Sequence, residues 1–179
     1  CDDAYFGLFF EPESAKQSLF AKIAGKTSRL LAVKLDGPTK EDYVMGLRTG
    51  FTTFGVAADA DLDRVYEALE QKTAGCIRGN ISNCCHLSQT ILVKSMEDKD
   101  YRRLKQEKFD LLKSRAFAIK EVLKDPKYAD GFDVYPFNSG YFLCIRIKGV
   151  NAEELRFHLL ENYGTGLISI DEKNIRVAF

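Results

Sequence analysis

Apolar positions recur along this chain with a helical period in some stretches and as short continuous runs in others. Leu19, Phe20 and Ile23 fall on one face of a helix predicted over about 13–24, with Gly25 placed to end it. Arg29 to Leu35 reads as a buried strand, and Leu47 to Val56, rich in Thr, Phe and Val, as another. Between them Asp36-Gly37-Pro38-Thr39-Lys40 forms a turn that ends in a lone lysine. Asp59 or Asp61 can cap a helix that turns Leu62, Val65, Tyr66 and Leu69 toward the core, and Ser82 can open a second that carries Leu87, Ile91 and Leu92. From about Asp98 to Leu123 the chain is highly charged, with Leu104, Leu111, Leu112, Ile119 and Leu123 as its apolar stripe, until Pro126 stops it. This is one long amphipathic helix whose charges form a solvated face. Beyond it come strands at 132–137 and 141–147, a helix capped by Asn151 with Glu154 at the capping-box position, and strands at 166–170 and 175–179. That last part reads as a compact α+β unit hung on the long helix.

Length and composition narrow the picture. The 179 residues suit one large domain, or one with a small appendage, and 45% apolar residues including 13 Phe and 8 Tyr supply a core. Folding at this length removes roughly 70% of the unfolded chain's surface from water. Twenty-six Lys and Arg balance 26 Asp and Glu, so the positive excess of a nucleic-acid binder or a polybasic membrane protein is missing. The longest apolar runs, such as Val44 to Leu47 and Tyr141 to Ile145, fall far short of the roughly 20 residues that span a bilayer. No signal peptide is visible, and the chain begins at Cys1 where a gene product would begin with Met, so a fragment is expected. Five cysteines, an odd number without a dense framework, predict reduced thiols and a cytoplasmic setting. Cys84, Cys85 and His86 have only His158 as a further histidine, so no metal site is expected.

Taken singly, the candidate chemical residues have ordinary structural roles. Asp2 and Tyr5 flank Ala4 near the chain start, Lys40 follows a Gly-Pro turn, Arg48 lies eight residues further, and Arg176 sits between Ile175 and Val177 in a terminal strand. An Asp at a strand end is usually a turn residue, a loop Lys is usually solvated, and an Arg in an apolar strand usually meets a structural carboxylate.

In order and spacing they resemble the second half of a fold-type I pyridoxal-phosphate enzyme of the class I/II aminotransferases, in its aspartate and aromatic amino-acid branch. Asp2-Asp3-Ala4-Tyr5 resembles the D-x-A-Y element. Lys40 with Arg48 is similar to the Schiff-base lysine and phosphate-binding arginine, and Ile77-Arg78-Gly79-Asn80-Ile81-Ser82-Asn83 to the I-R-x-x-x-S-N element. Asn138-Ser139-Gly140-Tyr141-Phe142 resembles the glycine-aromatic strand of the small domain, and Asn174-Ile175-Arg176-Val177-Ala178-Phe179 the segment that holds the substrate carboxylate. Five elements in the right order are a stronger signal than any one of them.

The resemblance implies an α/β fold: residues 1–110 as part of the large cofactor-binding domain and 111–179 as a small α+β domain, joined by a helix over 98–125. It implies pyridoxal 5′-phosphate as cofactor, with Lys40 as the covalent attachment point and proton carrier, and with Asp2 facing the pyridine nitrogen. Tyr5 would donate to the ring oxygen, Arg48 would pair with the phosphate, and Arg176 would fix the substrate's α-carboxylate. Arg78 would reach across a homodimer to a distal carboxylate, and Ser82 would approach the neighbour's cofactor phosphate. The implied substrates are an amino acid, aspartate, glutamate or aromatic, and a 2-oxo acid. Two positions depart from the pattern. Gly37 stands where many relatives carry a phosphate-contacting serine, and Cys84-Cys85 stands where relatives usually carry two prolines. The family's N-terminal half contributes a phosphate turn, a stacking aromatic and an asparagine, none of which precedes Cys1. These residues alone are therefore expected to bind cofactor weakly and to turn over negligibly. A cofactor-sensing domain of a regulator and a lyase using the same cofactor remain alternatives.

Overall fold

The structure, a computed structural model, describes residues 1–14 and 16–179. In chain order the elements are α1 (Leu19–Ile23), β1 (Ala32–Asp36), α2 (Pro38–Glu41), a 3₁₀ turn at Met45–Leu47, β2 (Phe51–Gly55), α3 (Leu62–Asn80), α4 (His86–Glu97) and α5 (Tyr101–Leu123). A second 3₁₀ turn at Pro126–Tyr128 then leads to β3 (Phe132–Val134), β4 (Phe142–Ile147), α6 (Ala152–Tyr163), β5 (Ile168–Ser169) and β6 (Asn174–Ala178). They divide into two units. The first comprises residues 1–7 and 15–103, the second residues 8–14 and 104–179. Among the described residues no helix is long and apolar enough to cross a membrane.

In the first unit β1 and β2 form an antiparallel pair, with Ala32 opposite Gly55 and Asp36 opposite Phe51. Residues 1–3 run parallel to β1 on its other side. The Cys1 nitrogen and the Asp3 amide donate to the carbonyls of Val33 and Leu35, and the Leu35 amide donates to the Cys1 carbonyl. Asp2 and Leu35 form the parallel bridge. Asp61, of the two predicted caps, is the one that caps α3, its carboxylate accepting the Arg64 amide at 3.3 Å.

The core of the second unit shows why its sequence folds as it does. Its sheet has the order β3-β4-β6-β5, antiparallel throughout. Alternation puts Leu143, Ile145 and Ile147 of β4 on one face, where they pack with Ile175 of β6 and Ala152 of α6; Ile119 and Leu123 of α5 and Leu155 of α6 pack against this cluster. Ile175 and Ala152 are fully buried. Asn151 caps α6 as predicted, accepting the amides of Glu153 and Glu154.

Several expectations are corrected. The predicted helix over 13–24 is reduced to Leu19–Ile23, with Ser18 as its cap; Ala15 lies outside the described residues. The chain ahead of it is committed elsewhere, because Phe9 bridges Ser139 and the Phe10 amide donates to Asn138. Gly25, with φ +74, does follow that helix. Ser82 does not open α4. The preceding helix runs on to Asn80, Ser82 takes a left-handed turn with φ +67, and α4 begins after Cys85. The long helix begins at Tyr101, because Asp98 turns the chain by accepting the Asp100 amide. On it Leu104 and Leu111 are exposed, and the buried side is Leu112 and Ala116. Leu62 and Tyr66 on α3, and Leu87 and Ile91 on α4, are likewise exposed.

Candidate functional site

A parallel pair of strands sends its following residues to the same end of the sheet, the end where ligands bind in open α/β folds. Residues 1–3 and β1 are such a pair, so the chain just after each of them meets at that end. Tyr5 follows the first and Lys40 the second, and the Lys40 ammonium lies 5.5 Å from the centroid of the Tyr5 ring. Both side chains are half-buried. Asp2, in the bridge that precedes Tyr5, is exposed, and its Oδ1 accepts the Ala4 amide at 3.0 Å.

Local sequence fixes the lysine turn. Pro38 occupies the first position of α2, where its missing N–H costs nothing, and it is fully buried. Gly37 precedes it in extended backbone, and a Cβ there would lie 3.0 Å from the Thr49 carbonyl oxygen and 3.2 Å from Gly50 Cα. The segment leading into β2 approaches so closely that a side chain at position 37 would press on backbone. Arg48 ends the following 3₁₀ turn in the left-handed region, φ +51, is exposed, and donates to the Met45 carbonyl at 3.0 Å.

A second lysine in the unit, Lys34, is held as an ammonium. Its Nζ donates to Asp36 Oδ2 at 2.9 Å, and this hydrogen bond, with the charges of Asp36, Asp3 and Glu41, pushes its pKa up. The ion pair with Asp36 favours the protonated form of Lys34, which has no free lone pair to attack an aldehyde.

Arg78 and Ser82 are brought together. Arg78, in the last turn of α3, donates from Nη1 to Ser82 Oγ at 2.7 Å, and both are exposed. Arg176 belongs to the second unit, on β6 between Cys144 of β4 and Ile168 of β5. Two-residue alternation puts it on the sheet face opposite Ile175, where its guanidinium carbon lies 4.6 Å from the centroid of the Phe142 ring. Its Nε is buried with no hydrogen-bond partner. A buried donor of that kind is costly unless a ligand meets it, and a carboxylate is the complement of a guanidinium fork.

Two residues that the sequence did not single out belong to the description of the lysine turn. Asp42 closes α2 and accepts the Tyr101 hydroxyl at 2.5 Å. No local signal links positions 59 apart. Of the residues expected around a phosphorylated pyridine aldehyde, the structure brings Lys40 and Tyr5 together, while the Asp2 carboxylate and the Arg48 guanidinium are exposed and bonded to nearby backbone.

The profile of the family described as aminotransferase class I and II matches residues 1–179. No curated protein sequence matches the chain. Solved structures with similar folds include the aspartate aminotransferase of Thermotoga maritima, at 17% identity and TM-score 0.69, covering 99% of this chain and 42% of that one. The α-aminoadipate aminotransferase of Thermus thermophilus, complexed with N-(5′-phosphopyridoxyl)-L-leucine, is similar at 22% identity and TM-score 0.70, with 99% and 43% covered. An alanine aminotransferase from Pyrococcus furiosus matches at 18% identity and TM-score 0.70, again covering 99% and 43%. The chain thus spans a little over two fifths of the length of these structures, and its mixed α/β architecture is part of their fold.

Proposed function

This chain belongs to the class I and II aminotransferase family, which is pyridoxal-phosphate-dependent, and from that premise we propose that it is the C-terminal portion of an enzyme moving an amino group between an amino acid and a 2-oxo acid. The observation that carries the reading is the parallel pairing of residues 1–3 with β1, which sets Tyr5 5.5 Å from the Lys40 amine at one end of the sheet. When bound, the cofactor supplies an electron sink for charge at the substrate's α-carbon.

The chain's own residues do the rest. Lys40 would hold the cofactor and, as a free amine, would serve as the base for the proton at the α-carbon. Asp2 would face the pyridine nitrogen and favour its protonated form, so Asp2→Ala should weaken chemistry more than binding. Tyr5 donates to the ring oxygen and Arg48 pairs with phosphate. Arg176 grips the α-carboxylate and so fixes which bond at the α-carbon reacts; its unpartnered buried Nε supports this. Arg78 would select aspartate or glutamate by reaching across a homodimer, Ser82 would approach the neighbour's cofactor phosphate, and aromatic donors would share the site.

Residues 1–110 serve as part of the large domain and 111–179 as the small one. The exposure of Leu31, Leu35, Met45 and Phe51 in the first unit supports a larger parent whose remaining sheet covers them. Five free cysteines suit a reducing cytoplasm.

The test is turnover of aspartate and 2-oxoglutarate by the full-length protein. Glutamate should form, and Arg176→Gln should lower kcat/KM by roughly a hundredfold or more, as expected for loss of a two-pronged charged contact. Cofactor binding without amino transfer would favour a sensor. The 179-residue chain alone should turn over negligibly; measurable transamination by it would contradict the proposal.

A further inference from the structure

The reactive amine stands on α2, a helix of four residues. A single helical turn does not persist on its own, because nucleation fixes several backbone dihedrals for one hydrogen bond. The direction in which Lys40 projects is therefore set by what grips the ends of the turn. At its start the grip is the buried Pro38 ring. At its end the Asp42 amide donates back to the Lys40 and Pro38 carbonyls, and Tyr43, with φ +60, then turns the chain away. Between them Glu41 lies against Gly7, where a Cβ would come within 3.1 Å of the Glu41 carboxylate.

A side-chain hydrogen bond ties this cap to a long element. The Asp42 carboxylate accepts the hydroxyl of Tyr101, the first residue of the 23-residue α5, at 2.5 Å in a half-buried setting. A phenol donating to a carboxylate is a short, charge-assisted bond, stronger than a neutral one. We infer that the Asp42–Tyr101 hydrogen bond is a positioning contact for the Lys40 amine, anchoring the far end of the lysine turn to α5. This rests on the reading of Lys40 as the reactive amine. Neither residue touches the cofactor; both act through the backbone of α2.

The experiment measures how fast Lys40 is captured in the full-length protein by pyridoxal phosphate with borohydride, with peptide mapping and the exposed Lys72 of α3 as internal reference. Tyr101→Phe and Asp42→Ala should each lower the Lys40-to-Lys72 labelling ratio by roughly tenfold, the effect of losing one hydrogen bond to a charged group. The double variant should be no slower than either single one, because both remove the same contact. Asp42→Asn, whose amide oxygen still accepts the hydroxyl but without the charge, should fall between Asp42→Ala and the parent. Unchanged ratios in Tyr101→Phe and Asp42→Ala, or additive effects in the double variant, would overturn the positioning role while leaving Lys40 as the reactive amine. Capture in the parent at a residue other than Lys40 would overturn both.

Discussion

The Lys40 ammonium lies over the face of the Tyr5 ring, 5.5 Å from its centroid, within the range of a cation–π contact. The two residues are 35 positions apart and meet because their strands run parallel. The contact holds a phenol beside an amine, the pair that the proposed chemistry needs on one cofactor.

Tyr5→Phe keeps the ring and removes the hydroxyl. A donor facing the cofactor's ring oxygen stabilises negative charge there, and without it the oxygen holds a neighbouring proton more tightly. In the full-length protein the pH at which the bound cofactor's visible absorption changes should move up by about one to two units, the equivalent of one charged hydrogen bond. A spectrophotometric pH titration reads this directly, and an unmoved midpoint would remove Tyr5 from the ring.

Gly37→Ala tests the close approach beside the lysine turn. The added methyl would lie 3.0 Å from the Thr49 carbonyl, which is backbone and cannot swing aside. The cost should be about 1–3 kcal/mol, typical of overpacking, seen as a lower urea midpoint with unchanged slope. A stability equal to the parent's would show that the segment before β2 yields freely.

Ile175→Ala probes the second unit. The side chain is fully exposed to its neighbours and not to water, at 0% relative exposure, so truncation should cost about 2–5 kcal/mol. Arg176, next along the strand and on the other face, should lose much less when changed to Gln, because what it gives up is its contact with the Phe142 ring. Denaturant melts of the two variants should therefore differ clearly; equal losses would contradict this assignment of faces.

Glu153 gives a pH signature. Its carboxylate accepts from Arg156 through two bonds of 2.7 and 2.8 Å and from the Ser169 hydroxyl, and these partners lower its pKa from 4.5 to about 2. A carboxylate with a depressed folded-state pKa stabilises the fold above its unfolded value, and the stabilisation is lost as pH falls from about 4.5 toward about 2. Glu153→Gln should flatten that acid limb. Urea midpoints between pH 5 and 2 measure it, and parallel curves for variant and parent would contradict it.

What the sequence reveals here follows the range of the forces involved. The Asn151 cap and the strand-turn-lysine passage at 29–40 are legible because each is decided by neighbours within a few residues. The helix expected over 13–24 fails because Phe9 and Phe10 pair with Ser139 and Asn138, partners far along the chain. Ser82 looks like a helix opener but accepts a bond from Arg78, since α3 continues through Gly75 and Gly79 despite their low helical preference. Lys40, Tyr5 and Arg176 stand out through their resemblance to family motifs; neither periodicity nor spacing reveals the hydrogen bond from Tyr101 to Asp42.

The central claim is that Lys40 is the amine that attaches an aldehyde cofactor. The most direct measurement is to load the full-length protein with pyridoxal phosphate, reduce with borohydride and locate the modified peptide by mass spectrometry. The account predicts a single stable adduct on Lys40, lost in Lys40→Ala together with the visible absorption band. An adduct on Lys34 or any other residue, with Lys40 unmodified, would contradict it.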